Sequence, residues 1–255
     1  MRTTNFSQVL FDALQYSGND RHNITDETFA QFRDFASSRL REAWESNQWS
    51  DVCRIVDFTT TQDASGTNYF VPSADASEIL GVWNKNPQDT SRAKQVDYQI
   101  YNEGSEIRIV LPSIIASGSY LYRQNCPALT GDPYKSNVVY YLNSQIYFDS
   151  GSGTGSLMPV QGKPHYGNFY ICLANSTSVG QNPNTHPTLW SKIEIPYIFG
   201  SFMAWGAAAN WYVSETMINE ATVIESKASQ VLEQEYDKFL RQQGQFGKIN
   251  MNRTY

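Results

Sequence analysis

The chain has 255 residues, a formal net charge of −6, 17% charged residues and 14% aromatic ones. A length of this order predicts one large domain or a core domain carrying an inserted module. The aromatic content excludes a disordered chain, the scarcity of charge excludes a coiled-coil rod, and the acidic balance excludes a chain-wide nucleic-acid surface.

Phe6, Val9, Leu10, Ala13 and Leu14 recur at helical spacing, and Gly18 stops the run. Thr25 is placed to cap a second helix, with Asp26 and Glu27 in its first turn. Phe29, Phe32, Phe35 or Ala36, Leu40, Ala43 and Trp44 continue its stripe to about Asn47, so residues 1–50 read as a helical hairpin. From residue 51 the period shifts to two, with strands expected at 52–58, 68–71 and 78–83. Alternating runs at 96–101 and 106–111 flank the short loop of Asn102, Glu103 and Gly104, which predicts a hairpin. Residues 51–116 thus form a β region.

Between 117 and 190 the chain turns to Gly, Ser, Asn, Pro and Tyr. Strand-like pieces lie at 136–142, 145–148 and 167–173, with a flexible Ser/Gly loop at 150–156. This stretch reads as a small inserted β module. Pro196 opens a helix running to about Val213 with no charged residue in it. Its run of about 17 residues sits at the lower limit for a bilayer span. Ser201, Gly206 and Asn210, and the lack of a flanking basic cluster, favour a buried helix. A last helix spans about 215–243, roughly 43 Å long. Its stripe runs from Met217 through Ala221, Ala228 and Leu232 to Leu240, and Gly244 ends it. An extended tail, 245–255, follows. The expected fold class is therefore α+β. It is a helical bundle made of the N-terminal hairpin and two C-terminal helices (191–244), with an intervening β region and an inserted small β module.

Little in the sequence carries chemistry. Cys53, Cys126 and Cys172 are far apart and form no CxxC, which argues against a zinc site or a disulfide framework. The N-terminal residues lack the apolar core of a signal peptide, which points to a reducing cytoplasm. There is no phosphate-binding loop, no GxGxxG at a strand-to-helix junction and no GxSxG elbow. His22, His165 and His186 show no metal-ligand spacing. Asp132, Asp149 and Glu194 offer carboxylate pairs, as any chain with this many acids does. No catalytic, metal or cofactor-binding residue is assigned, no cofactor is expected, and the chain does not read as an enzyme. Tyr134, Tyr140, Tyr141, Tyr147, Phe148, Tyr166, Phe169, Tyr170 and Trp190 crowd one module. Such rings stack on sugars or fill small β cores.

Two segments together resemble a family. The first is Phe6-Ser7-Gln8-Val9-Leu10, then 32–40, Arg41-Glu42-Ala43-Trp44-Glu45 and Gln48-Trp49. The second is Trp190, Ile195-Pro196-Tyr197-Ile198-Phe199, Gly206-Ala207-Ala208-Ala209-Asn210-Trp211 and the helix ending Gln242-Gln243-Gly244-Gln245. This pattern, at the two ends of the chain, resembles the head-to-tail connector (adaptor or neck) proteins of tailed bacteriophages. The resemblance implies a structural virion protein, made in the host cytoplasm, that forms a homo-oligomeric ring of about 12 copies beneath the portal. Its partners would be the portal protein and other neck or tail proteins, with no membrane. Genomic DNA would pass through the channel without sequence-specific binding. The portal or subunit contacts would then fall on the mildly basic tail: Arg241, Phe246, Lys248, Ile249, Met251, Arg253 and Tyr255.

A second resemblance covers the inserted part. Residues 137–147, Tyr170-Ile171-Cys172-Leu173, Asn182-Pro183 and Leu189-Trp190 are similar to the small chitin-binding type of carbohydrate-binding module, apart from the insert at 151–164. It implies an alternative, a virion-associated carbohydrate-binding protein with Tyr147, Tyr170 and Trp190 as the glycan contacts.

Overall fold

The computed structural model describes residues 2–89, 92–104, 106–159 and 161–251, and the side chains of all of these except 242–251. In chain order the elements are β1 (Thr3–Thr4), α1 (Phe6–Tyr16), α2 (Asp26–Ser46), β2 (Cys53–Thr59), β3 (Thr61–Gln62), β4 (Asn68–Phe70), β5 (Ala76–Trp83), β6 (Gln99–Glu103), β7 (Glu106–Leu111) and β8 (Ser117–Gln124). After them come β9 (Asp132–Pro133), β10 (Gln145–Asp149), β11 (Gly167–Cys172), β12 (Trp190–Lys192), β13 (Ile195–Pro196), α3 (Tyr197–Ser214) and α4 (Ile218–Met251). The class is mixed α+β, with several small sheets. The chain divides into two compact units, Gln48–Cys126 and Met1–Asn47 together with Pro127–Tyr255.

The unit of 48–126 is all β. One sheet has the order β2-β8-β5 and the other β3-β4-β7-β6. Phe58, Val82, Tyr120 and Tyr122 from the first sheet meet Phe70, Ile109 and Leu111 from the second in one core. Phe58 stacks on Phe70 with centroids 4.1 Å apart. The sheets also join at their edges. Thr60, the one residue between β2 and β3, donates its N–H to the Ala116 carbonyl at 2.9 Å. Val96, just ahead of β6, donates to the Val82 carbonyl of β5 at 2.8 Å. The two sheets therefore face each other and are joined at two edges in a barrel-like arrangement, which leaves fewer bare strand edges.

The module boundary at 117 is misplaced, because β8 pairs with β2 along its whole length, from Cys53↔Arg123 to Thr59↔Ser117, and with β5 on its other side. Residues 117–124 thus complete the barrel, and the insertion in the chain is 48–126. Composition changes at 117, but pairing depends on partners far upstream that composition cannot reveal. The hairpin strand expected at 96–101 lies at 99–103 instead. The strand expected at 136–142 is irregular and makes only a single bridge, between Tyr141 and Ser176.

In the other unit the local signals work as read. Thr25 Oγ1 accepts the Thr28 N–H at 3.1 Å and so satisfies one of the orphan donors of α2. The α1 stripe Phe6, Val9, Leu10, Ala13 and Leu14 is buried throughout. Helix α3 is buried around most of its circumference, because α1, α2 and α4 all pack on it. Small residues make this approach possible. A Cβ on Gly206 would lie 2.7 Å from Cδ of Arg39 on α2. No helix among the described residues is long and apolar enough to cross a membrane. Pro196 is the N-cap of α3 rather than a first-turn residue, and with Ile195 it pairs with Thr3 and Thr4.

The second sheet of this unit has the order β12-β11-β10-β9. Both of its faces are covered. Tyr147 and Phe169 meet Phe6 of α1 and Phe29 of α2, with Phe6 and Phe169 centroids 4.6 Å apart. On the opposite face Tyr134, Ile146, Phe148, Cys172 and Trp190 form a second cluster. Burial on both faces explains why β10 reads as a continuous apolar run rather than an alternating one. The last helix starts at Ile218, after Thr216 in a left-handed conformation, and runs to Met251. It passes Gly244, where a stop and an extended tail were expected. A glycine inside a helix costs only about 1 kcal/mol, so it weakens the helix without ending it.

Candidate interaction surfaces and buried polar sites

The residues expected to touch a glycan are mostly core. Tyr147 is fully buried and Trp190 is 5% exposed. Tyr170 is half-buried and packs edge-on against Phe148. Tyr147 and Trp190 therefore cannot offer a ring face to a sugar, because α1, α2 and the loop at Tyr140 already occupy those faces. Alanine at either position removes core packing rather than a surface contact. The aromatic that does reach the surface in this region is Tyr141, at 62% exposure, with Tyr166 at 49%. Tyr140 packs into the cluster of Tyr134 and Trp190, and Tyr141, its neighbour, faces out. Of the expected tail contacts, Arg241 is an exposed residue of α4. Phe246, Lys248, Ile249, Met251, Arg253 and Tyr255 lie outside the described side chains.

A polar network missed by sequence lies at the end of β10. Asp149 is fully buried, and its two oxygens accept the N–H groups of Gly151 at 3.0 Å, Ser152 at 3.1 Å and Tyr166 at 2.6 Å. His165 Nδ1 lies 3.1 Å from Asp149 Oδ2, and its Nε2 lies 3.2 Å from the Tyr147 hydroxyl. A carboxylate can only accept, so Nδ1–H donates to Asp149, and Nε2 shares the second hydrogen bond with the Tyr147 hydroxyl. Phe11 of α1 stacks on the imidazole, with centroids 5.0 Å apart. Burial pushes the Asp149 carboxyl up, but the Ser152, Tyr166 and Gly151 donors and the nearby His165 outweigh it and hold it below the ordinary value. Burial, with the Asp149 charge adding to it, pushes the Tyr147 hydroxyl well up, so it stays protonated. The order Asp-His-Tyr resembles a catalytic relay. It has no open face: the His165 side chain is 6% exposed, and Asp149 and Tyr147 are closed to solvent. Its effect is to fasten the 150–166 loop onto β10. Glycine at 167 permits this, since a Cβ there would lie 1.8 Å from the Tyr147 oxygen.

A second cluster ties three helices together. Arg39 of α2 grips Glu225 of α4 with both terminal nitrogens, at 2.9 and 2.5 Å. It also donates to Asn210 of α3 at 2.8 Å and to Glu42 at 3.0 Å. Beside it, a groove of about 430 Å³ runs between α3 and α4 over Ala209, Val213, Ile218 and Ala221. Thr222, Ser226 and Ser229 of α4 also line it, and its one ion pair is the Arg39–Glu225 contact already described. Among the described residues no group of three or more His, Cys, Asp and Glu is placed to hold a metal. Cys53 is half-buried and Cys172 is buried, and both are free thiols.

No protein-family model matches the chain, and no curated protein matches it at a significant level.

Proposed function

We propose that the chain is a structural virion protein of a tailed bacteriophage, a head-to-tail adaptor whose copies form a ring of about a dozen between portal and tail. In this reading the helices at the two ends of the chain, with the sheet around β10, form the body of the adaptor, and residues 48–126 are an insertion in it. The observation that supports it most is α4. It has 34 residues against 18 in α3, so at 1.5 Å per residue it is about 51 Å long against about 27 Å. Among the described residues α3 is the one element that packs broadly on it. About half of its length therefore has no cover from α3, and Val223 and Leu240 lie exposed along it. A long amphipathic helix with one covered side suits a subunit that finishes its packing against neighbours.

The test is the native mass of the purified chain with and without a portal ring. A closed assembly of about a dozen copies, alone or on the portal, is the expected result. A chain that stays monomeric and does not bind the portal removes this reading.

A further inference from the structure

Within the unit that carries the helices, the surface around Tyr141 is unusual in two independent ways. The first is its apolar content. The Thr177 N–H donates to the Tyr140 carbonyl at 2.8 Å, the Asn143 N–H donates to the Cys172 carbonyl at 2.9 Å, and Tyr141 bridges Ser176. These bonds set residues 138–143 beside residues 172–179. Tyr140 and Cys172 pack into the core, whereas Val139, Tyr141 and Leu173 face out. Exposure follows: Tyr141 62%, Val179 61%, Leu173 54%, Leu142 49%, and Val138 and Val139 37% each. Single exposed apolar residues are ordinary, but six on two tied segments make a patch, and patches of this kind mark contacts.

The second is charge. Between Lys135 and Lys192 the only Asp, Glu, Lys or Arg residues are Asp149 and Lys163, and Asp149 is buried. These two cancel, so the formal charge of −6 belongs to the rest of the chain. Two copies of an acidic chain repel across most of their surfaces. They meet without that cost where formal charge is missing.

We infer that the face formed by Val138, Val139, Tyr141, Leu142, Leu173 and Val179 is a contact between copies of this chain. Branched aliphatic side chains dominate it, and these interlock with other apolar side chains. They lack the flat ring faces on which a sugar stacks. Depletion of charge with one central aromatic is also the usual make-up of an interface core. The inference deepens the adaptor reading, on which it rests only for the setting in which copies meet.

The experiment is sedimentation velocity and native mass spectrometry of the full chain from micromolar to millimolar concentration. The wild type is compared with Tyr141→Asp/Leu173→Asp and with the conservative Tyr141→Phe/Leu173→Met. Circular dichroism melts check that each variant is folded. If the double Asp variant fails to fold, the single Leu173→Asp variant takes its place. The expected result is concentration-dependent self-association that the Asp variant weakens at least tenfold and the conservative variant keeps. A wild type that stays monomeric over the whole range overturns the inference, and so does self-association that the Asp variant leaves unchanged. Retention of a monomeric wild type on insoluble chitin or cellulose, lost in Tyr141→Ala, also overturns it and gives the face to a neutral glycan. The two readings fail separately. Portal binding without self-association removes this contact and leaves the adaptor standing. Self-association through this face without portal binding does the reverse.

Discussion

The barrel of residues 48–126 and the four-stranded sheet around β10 are both small and aromatic, yet they are built on different plans. The barrel buries Phe58, Phe70, Ile109, Tyr120 and Tyr122 against one another, all from its own strands. The β10 sheet buries Tyr147 and Phe169 against Phe6 and Phe29, which come from helices more than a hundred residues earlier in the chain. A β insertion with its own closed core adds to a fold without borrowing from it. A sheet whose inner face is helix-covered is part of the fold itself, whatever its composition suggests. That difference reassigns the boundaries: the Tyr- and Ser-rich stretch after 127 belongs with the helices, and the stretch before it is the insertion.

The largest expected effect comes from cutting at that boundary. Residues 48–126 expressed alone should give β-type circular dichroism and one cooperative thermal transition, whereas residues 127–196 alone should not fold. A barrel segment that stays unfolded would break the comparison. Next in size, Phe169→Ala should cost about 3–5 kcal/mol by cavity formation under α1 and α2. Denaturant unfolding followed separately in each unit should place the whole loss outside the barrel.

A smaller effect is expected at the Asp149 network. Asp149→Asn keeps the shape but removes the ionised acceptor, and should cost about 1–3 kcal/mol at pH 7. The folded carboxyl titrates below the ordinary aspartate value of about 3.9, so its contribution is complete above that pH. It drains away as the pH falls through the lower folded value. The stability gap between wild type and Asn variant, read from urea midpoints, should therefore narrow as the pH falls below about 3.9. A gap of constant size would show that the charge contributes nothing. The smallest effect is at the helix cap. Thr25→Ala should lower stability by about 1 kcal/mol, again only in the unit that holds α2.

Local signals were strong in the helices and weak in the sheets. The α1 and α2 stripes, the Thr25 cap and the uncharged α3 were all legible, because residues three and four apart decide a helical face. Gly244 misled, since a stop signal is a preference of about 1 kcal/mol, which flanking residues can override. Tyr147, Tyr170 and Trp190 were legible as an aromatic cluster but not as core. An aromatic at the surface and one under a helix look alike until the helix is placed. The Asp149 network was invisible, because His165 and Tyr147 reach it only once β11 is paired with β10.

The existence of the helices, the β character of the middle of the chain and its low charge between residues 136 and 191 could all be read from the residues alone. All of these are sums over near neighbours. Which strands pair, where the insertion begins and which aromatics face water depended on how distant segments pack. The N-terminus of α1 shows why. Asn5 precedes the helix but makes no side-chain cap, and the Phe6 N–H donates instead to Asn168 of β11 at 3.2 Å. A buried donor must find an acceptor, but nothing requires that acceptor to be near it in the chain.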